Sequence, residues 1–372
     1  MEHSFHRKRK PKVLFITKYR EAPYEDNDSP EECGDNKRSF SNGLISGLFN
    51  SARFVVDSLN ENDVEAKLVT VIDNNSIDKE VFNYKPTHVI IEAFWVVPEK
   101  FEILHKLHPN VLWIIRNHSE IPFLAAEGMS MDWISKYTQY ANVYLACNSP
   151  RACQDVKIIL HSARPELSYE EINNLVIYLP NCYPTHVPKK KEHDIKDNVI
   201  NIMCCGAIRY LKNQLAQAIA AIKFADDLGY TLHFHINSTR VETQSNPVLR
   251  NIRKLFENSI KHKLVEHGWV SHGNFLELIK TMDMGMQVSF TETFNIVTAD
   301  MVICNLPVVV SNEVTWATFL CKADPNNIDN IVETMKNVWE LKDFGFLQSR
   351  NITKLTNFVE ESIILWKEFL ND

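Results

Sequence analysis

Only 10 glycines occur in the 372 residues of this chain. That excludes an ordinary glycine-rich phosphate loop, so any such loop must use few glycines or substitute for them. No apolar run reaches the roughly 18 residues of a membrane span, and the opening MEHSFHRKRKPK is too polar for a secretory signal. The eight cysteines include no C-x-x-C pair, and two of them, Cys204 and Cys205, are adjacent. This pattern speaks against a disulfide or zinc framework and for buried thiols in a reducing compartment. The expected location is cytoplasmic. An excess of positive charge is missing too. The net charge of −7 argues against a general nucleic-acid coat while leaving room for a local basic face.

Two stretches offer such a face. One is the arm Arg7, Lys8, Arg9, Lys10 and Lys12. The other is VLRNIRKLFENSIKHK, read as helical, with Arg250, Arg253, Lys254, Lys261 and Lys263. Charge runs of this kind are most often solvated surface.

Hydrophobic residues at 45% and charged residues at 23% are the values of a globular protein, and the length suits two domains. Apolar runs rich in β-branched residues recur at 12–19, 66–72, 87–94, 111–117 and 142–148, each suited to a strand buried on both faces of a parallel sheet. Helix-like stretches such as SNGLISGLFNSARFVVDSL and PEKFEILHKLH separate them. The polar, charged segment 185–198 reads as a linker. After it the alternation restarts, from VINIMCCGAI to PVVVS. The expected architecture is α/β, with two doubly wound Rossmann-like domains facing a central cleft. Residues 1–184 form the acceptor half and 199–350 the donor half. A helix at 351–372 packs back toward the N-terminal domain. Ligands in such sheets bind beyond the carboxyl ends of the strands.

The stretch SFTETFNIVTADMVICNLPVVVS carries the chemistry. If NIVTADMVIC is a helix, its first amides at Phe294, Asn295 and Ile296 form an anion site at the cleft. Glu292 lies in the loop before it and Asp300 about one and a half turns in. A loop carboxylate can hold sugar hydroxyls, and one on the helix can hold the two hydroxyls of a ribose. On spacing alone, both acids could equally cap and solvate an amphipathic helix.

Glu292-Thr293-Phe294-Asn295, then Asp300, then Cys304-Asn305-Leu306-Pro307-Val308-Val309 resembles the signature of retaining GT-B glycosyltransferases of the family-4 type. The second acid is aspartate where the family has glutamate, and asparagine stands at both motif glycines. Asparagine is the non-glycine residue that best tolerates a left-handed backbone. CCGAIRYLKNQ is similar to the family's strand-to-helix turn, with Gly206 followed by Lys212 and with Arg209 displaced from the family's position. The resemblance implies that Arg209 and Lys212 neutralise a leaving diphosphate, with Gly43 touching the donor. It also implies that His118, in RNHSE, contacts the transferred sugar, Glu292 holds that sugar, and Asp300 holds the ribose.

The resemblance further implies a nucleotide-sugar co-substrate, expected to be a UDP-sugar, with no prosthetic group and no required metal. Asp26 and Asp28 look like the metal-binding pair of the other large glycosyltransferase fold, but they lie in an acidic loop that reads as solvated. The asparagine-, lysine- and isoleucine-rich style resembles phage-encoded members, which would place the chain in the host cytoplasm. Some of these glycosylate hydroxymethylated pyrimidines in duplex DNA, which Arg250, Arg253 and Lys254 would grip by its phosphates. The alternatives are transfer to an envelope polysaccharide or lipid-linked sugar, and a non-catalytic module that only binds nucleotide sugar.

Overall fold

The computed structural model describes residues 10–19, 47–185, 198–242 and 245–371. Gly43, Asp26, Asp28, Arg7, Lys8, Arg9 and most of the expected linker lie outside the described residues. Among the described residues, twelve strands form two parallel six-stranded sheets. The first contains β1 (Lys12–Lys18), β2 (Glu65–Val71), β3 (His88–Glu92), β4 (Leu112–Asn117), β5 (Val143–Cys147) and β6 (Val176–Tyr178). The second contains β7 (Val199–Met203), β8 (Thr231–Asn237), β9 (Lys263–His267), β10 (Met284–Gln287), β11 (Val308–Ser311) and β12 (Lys322–Ala323).

Strand order is β2-β1-β3-β4-β5-β6 in one sheet and β12-β11-β10-β7-β8-β9 in the other. The direction of winding therefore reverses between β1 and β3, and again between β7 and β10. Each reversal opens a crevice at the carboxyl ends of its strands. The central strands follow the apolar runs of the sequence. All five residues of β3 are buried, and so are all but the first of β4. The edge strands β2 and β9 are half-exposed, in keeping with their polar residues.

Two glycines set the second crevice. Gly206, just after β7, has φ +125°, where side chains are strained. Gly285 in β10 lies under the helix Ile296–Ile303; a Cβ there would collide with Met301 Sδ and stand 3.2 Å from Leu306 Cδ2. Its absence lets the helix lie close to the sheet, with its first turn at the crevice.

The asparagines at the motif-glycine positions are left-handed, Asn295 at φ 59° and Asn305 at φ 57°. Asn295 also accepts the amide of Thr298 through Oδ1 at 2.9 Å and so caps the helix. Glycine is expected to be tolerated at both positions. Valine at either should cost about 1 to 2 kcal/mol, because a β-branched side chain clashes in this region. Urea denaturation of the four single variants checks this, and a harmless valine at both sites would remove the backbone argument.

The final helix, Phe346–Asn371, starts ahead of the expected 351. Its first half packs Leu347, Leu355 and Val359 into the core of the second sheet. Its last turns place Trp366 and Leu370 among Val13, Phe15, Val55 and Leu179 of the first. Trp366 Nε1 donates to the carbonyl of Pro180 at 2.8 Å. The seven described cysteines are buried thiols. No helix among the described residues is long and apolar enough to cross a membrane.

Candidate active site

A cavity open to solvent lies between the sheets, lined by His118, Glu120 and Phe123 on one side and Arg209, Lys212, Glu292 and Thr293 on the other. Every lining residue follows the carboxyl end of a strand: β4 on the first sheet, β7 and β10 on the second. Of the residues expected from sequence, the fold brings His118, Arg209, Lys212 and Glu292 to this one cavity.

On the donor side, Lys212 Nζ meets Glu292 Oε1 at 2.6 Å. Arg209 pairs with Glu242, which Arg240 also engages at 2.5 Å, and the Arg209 guanidinium stands 5.0 Å from the ring of Phe123 across the cavity. Two arginines share one carboxylate, so this corner keeps an excess positive charge suited to a phosphate. The helix start at Ile296 adds two amides, those of Ile296 and Val297, that have no acceptor within the helix. Phe294, the first residue of the expected anion site, buries its ring against Trp316 and Phe358 and donates no side-chain group. Arg240 and Glu242 were not singled out in the sequence. They lie beyond β8, and only the bridge between Ile208 and Val241 brings them beside Arg209.

Facing this corner, His118 is enclosed by polar groups of the first sheet. Its Nε2 hydrogen-bonds Glu92 Oε2, and its Nδ1 lies 3.2 Å from Asn148 Nδ2. Glu92 and Arg116 are both fully buried, with Arg116 Nη1 at 3.2 Å from each carboxylate oxygen. The other donors of Arg116 reach the carbonyl of Leu179 at 3.0 Å and Asn181 Oδ1 at 2.5 Å, and its guanidinium stacks over Trp366. Burial alone would raise the carboxyl of Glu92. Arg116 and His118 outweigh it and hold Glu92 below the usual carboxylate range. Burial also lowers His118; Glu92 opposes that shift and Arg116 adds to it, so the ring is neutral. The sequence did contain a signal here. Glu92 and Arg116 are register partners that end two adjacent apolar strands with opposite charges.

Asp300 is not among the cavity-lining residues. Its Oδ1 accepts Tyr183 Oη at 2.5 Å and His272 Nε2 at 2.6 Å, and burial raises its carboxyl. Phe54 covers both partners, 5.0 Å from Tyr183 and 5.4 Å from His272 between ring centroids. The expected basic stretch is shorter as a helix than its periodicity indicated. The helix runs Asn246–Phe256, so Lys261 and Lys263 are not on it. Arg253 pairs with Glu266 at 2.6 Å, Lys254 with Glu257, and Lys261 with Asp226 at 2.6 Å; Arg250 is exposed. This surface is laced with carboxylates. Among the described residues no group of three or more side chains could hold a metal ion.

No family model matches the chain, and no curated protein matches it. Solved structures do. An Anabaena HepE (Alr3699) structure in complex with UDP and glucose matches with a TM-score of 0.60 at 10% identity, covering 97% of this chain and 100% of that one. A trehalose-6-phosphate structure from E. coli bound with UDP-2-fluoro glucose matches with a TM-score of 0.61 at 10% identity, covering 96% and 97%. The fold is GT-B. A Rickettsia africae glycosyltransferase gives a TM-score of 0.56 at 12% identity, with 97% of each chain covered. Identities this low establish the GT-B architecture and leave the chemistry to the residues in the cleft.

Proposed function

We propose that the chain is a glycosyltransferase that moves a sugar from a nucleoside diphosphate sugar to a hydroxyl acceptor, with retention of anomeric configuration. The observation that carries this reading is the Lys212–Glu292 pair beside an unshared helix start, facing His118 across the cavity. Such a corner supplies what departure of a diphosphate demands, which is fixed positive charge and amide donors where negative charge develops. Lys212 and Arg209 hold the diphosphate, and Glu292 takes hydroxyls of the sugar. Asp300 takes the ribose through Oδ2, since Oδ1 already serves Tyr183 and His272. The bond from C1 to the diphosphate breaks, the acceptor oxygen joins C1 on the same face, and its proton passes to the departing phosphate oxygen. The structures with UDP or a UDP-sugar bound support UDP as the nucleotide.

For the acceptor, the resemblance points to a hydroxymethylated base in duplex DNA. The ion pairs of Arg253, Lys254 and Lys261 give that reading no free basic stripe to rest on. The assay therefore has two arms. The protein is incubated with a panel of nucleotide sugars and either hydroxymethylated or plain duplex, then with saccharide and lipid-linked acceptors. Release of UDP from a UDP-sugar is expected, and it should persist in chelator. Strict dependence on manganese would instead turn attention to Asp26 and Asp28. No mass gain on the modified nucleoside, from a protein that consumes a donor, ends the DNA reading. No consumption of any donor leaves only a binding module.

A further inference from the structure

We propose that Glu92 and Asn148 are positioning residues that hold His118 in one tautomer, proton on Nε2, and thereby remove its ring from acid–base chemistry. This rests on the transferase reading only for its kinetic consequence. The hydrogen-bond roles around the ring are fixed by their neighbours. Glu92 is an ionised carboxylate against Arg116 and can only accept, so His118 Nε2 must carry the proton. His118 Nδ1 is then the acceptor, and Asn148 Nδ2 is its donor. The other side of the triangle agrees. Asn148 Nδ2 lies 3.0 Å from Thr293 Oγ1, and Thr293 donates to the carbonyl of His118 at 3.3 Å.

Thr293 belongs to the opposite sheet and follows Glu292 directly. The residue proposed to hold the sugar is therefore tied through its neighbour to the ring and backbone of His118, and the aim of His118 depends on both halves of the cleft. Both ring nitrogens are committed to protein partners. What His118 offers the cavity is a fixed, uncharged edge, and the acceptor proton is left to the departing phosphate.

The charged and titratable groups that face the ring are Glu92 and Arg116 on the first sheet and Glu120, Arg209, Lys212 and Glu292 around the cavity. Glu92 draws a proton onto the ring and Arg116 repels it, with Arg116 also holding Glu92 ionised. Removing Arg116 alone should let the Glu92–His118 pair take up one proton at a higher pH. Removing both charges should leave a ring that burial still holds below the usual histidine range.

The test is long-range nitrogen–proton NMR on the full chain labelled at histidine, with His118 assigned by its loss in His118→Gln. Wild type should show a ring protonated on Nε2 that stays neutral at about pH 7 and titrates only below the usual histidine range. Asn148→Ala, which buries no new charge and leaves Glu92 holding the Nε2 proton, should keep the tautomer but loosen the ring and lower kcat about 10-fold or more with donor affinity unchanged. Arg116→Gln should add an acid limb to the pH profile of kcat/KM, while Arg116→Lys should not. A wild-type ring protonated on Nδ1, or one that titrates near pH 6.5, overturns the proposal whether or not the chain transfers sugar. So does an Asn148→Ala protein with wild-type turnover. A fixed tautomer in a chain that consumes no donor overturns the transferase reading and leaves the positioning intact.

Discussion

Glu292→Gln and Lys212→Ala are each expected to lower turnover by about 100-fold or more, close to 3 kcal/mol of transition-state stabilisation. The two side chains form one ion pair at the cavity, 2.6 Å apart. A donor must separate them, the ammonium turning to the diphosphate and the carboxylate to the sugar. Glutamine keeps the shape of Glu292 but loses the charge that strengthens its hydrogen bonds as C1 becomes electron-poor. Alanine at 212 leaves a departing diphosphate with Arg209, whose charge Glu242 already shares. Both positions sit at the cavity edge and not in a core, so unfolding by urea should change little. Initial rates of donor consumption in each variant check the point, and a rate near wild type in either one removes that residue from the site.

Trp366→Ala should be the most destabilising single change considered, by about 3 to 5 kcal/mol. The indole is fully buried, packs 5.6 Å from the ring of Phe15, lies under the Arg116 guanidinium and donates to Pro180. Truncation would open a cavity in the first core, leave the Pro180 carbonyl without that donor, and strip one face from a buried cation. Glu292→Gln should leave stability intact and remove turnover; Trp366→Ala should do the reverse in order, losing stability first. Equilibrium unfolding measures it, and a loss below about 1 kcal/mol would show that the helix end does not anchor the first domain.

The strands were legible because a parallel sheet covered on both faces demands uninterrupted apolar runs, and 87–94 and 111–117 are such runs. β12 was not legible; two residues carry no period. The left-handed sites could be read because asparagine stood where a motif wants glycine, a local demand of the backbone. Lys212 and Glu292 were singled out by resemblance to short motifs, each contained in one run of sequence. The surroundings of Asp300 could not, since Tyr183 and His272 come from other elements and only packing brings them together. Glu92 and Arg116 looked like ordinary strand ends. Their meaning depends on strand register, which no single run of sequence states.

The two halves of the molecule are laced together across the cleft by bonds of unlike character. Arg151 meets Glu313 at 2.5 Å near the surface, Asn148 meets Thr293 deeper in, and Tyr183 meets Asp300 in a buried spot. On the proposed function, a donor enters as some of these ties let go. The chain crosses between halves after Tyr183 and again through the last helix, and Trp366 pins that helix to Pro180 beside the first crossing. Two crossings fastened at one edge behave like a door hung on a single jamb: the far edge swings and the near edge turns in place. Of the three ties, Arg151–Glu313 is the most exposed to solvent and joins two full charges, so it weakens first as salt is added. Ionic strength should therefore act on the pace at which the door opens for nucleotide to come and go, while the chemistry behind it keeps its own rate.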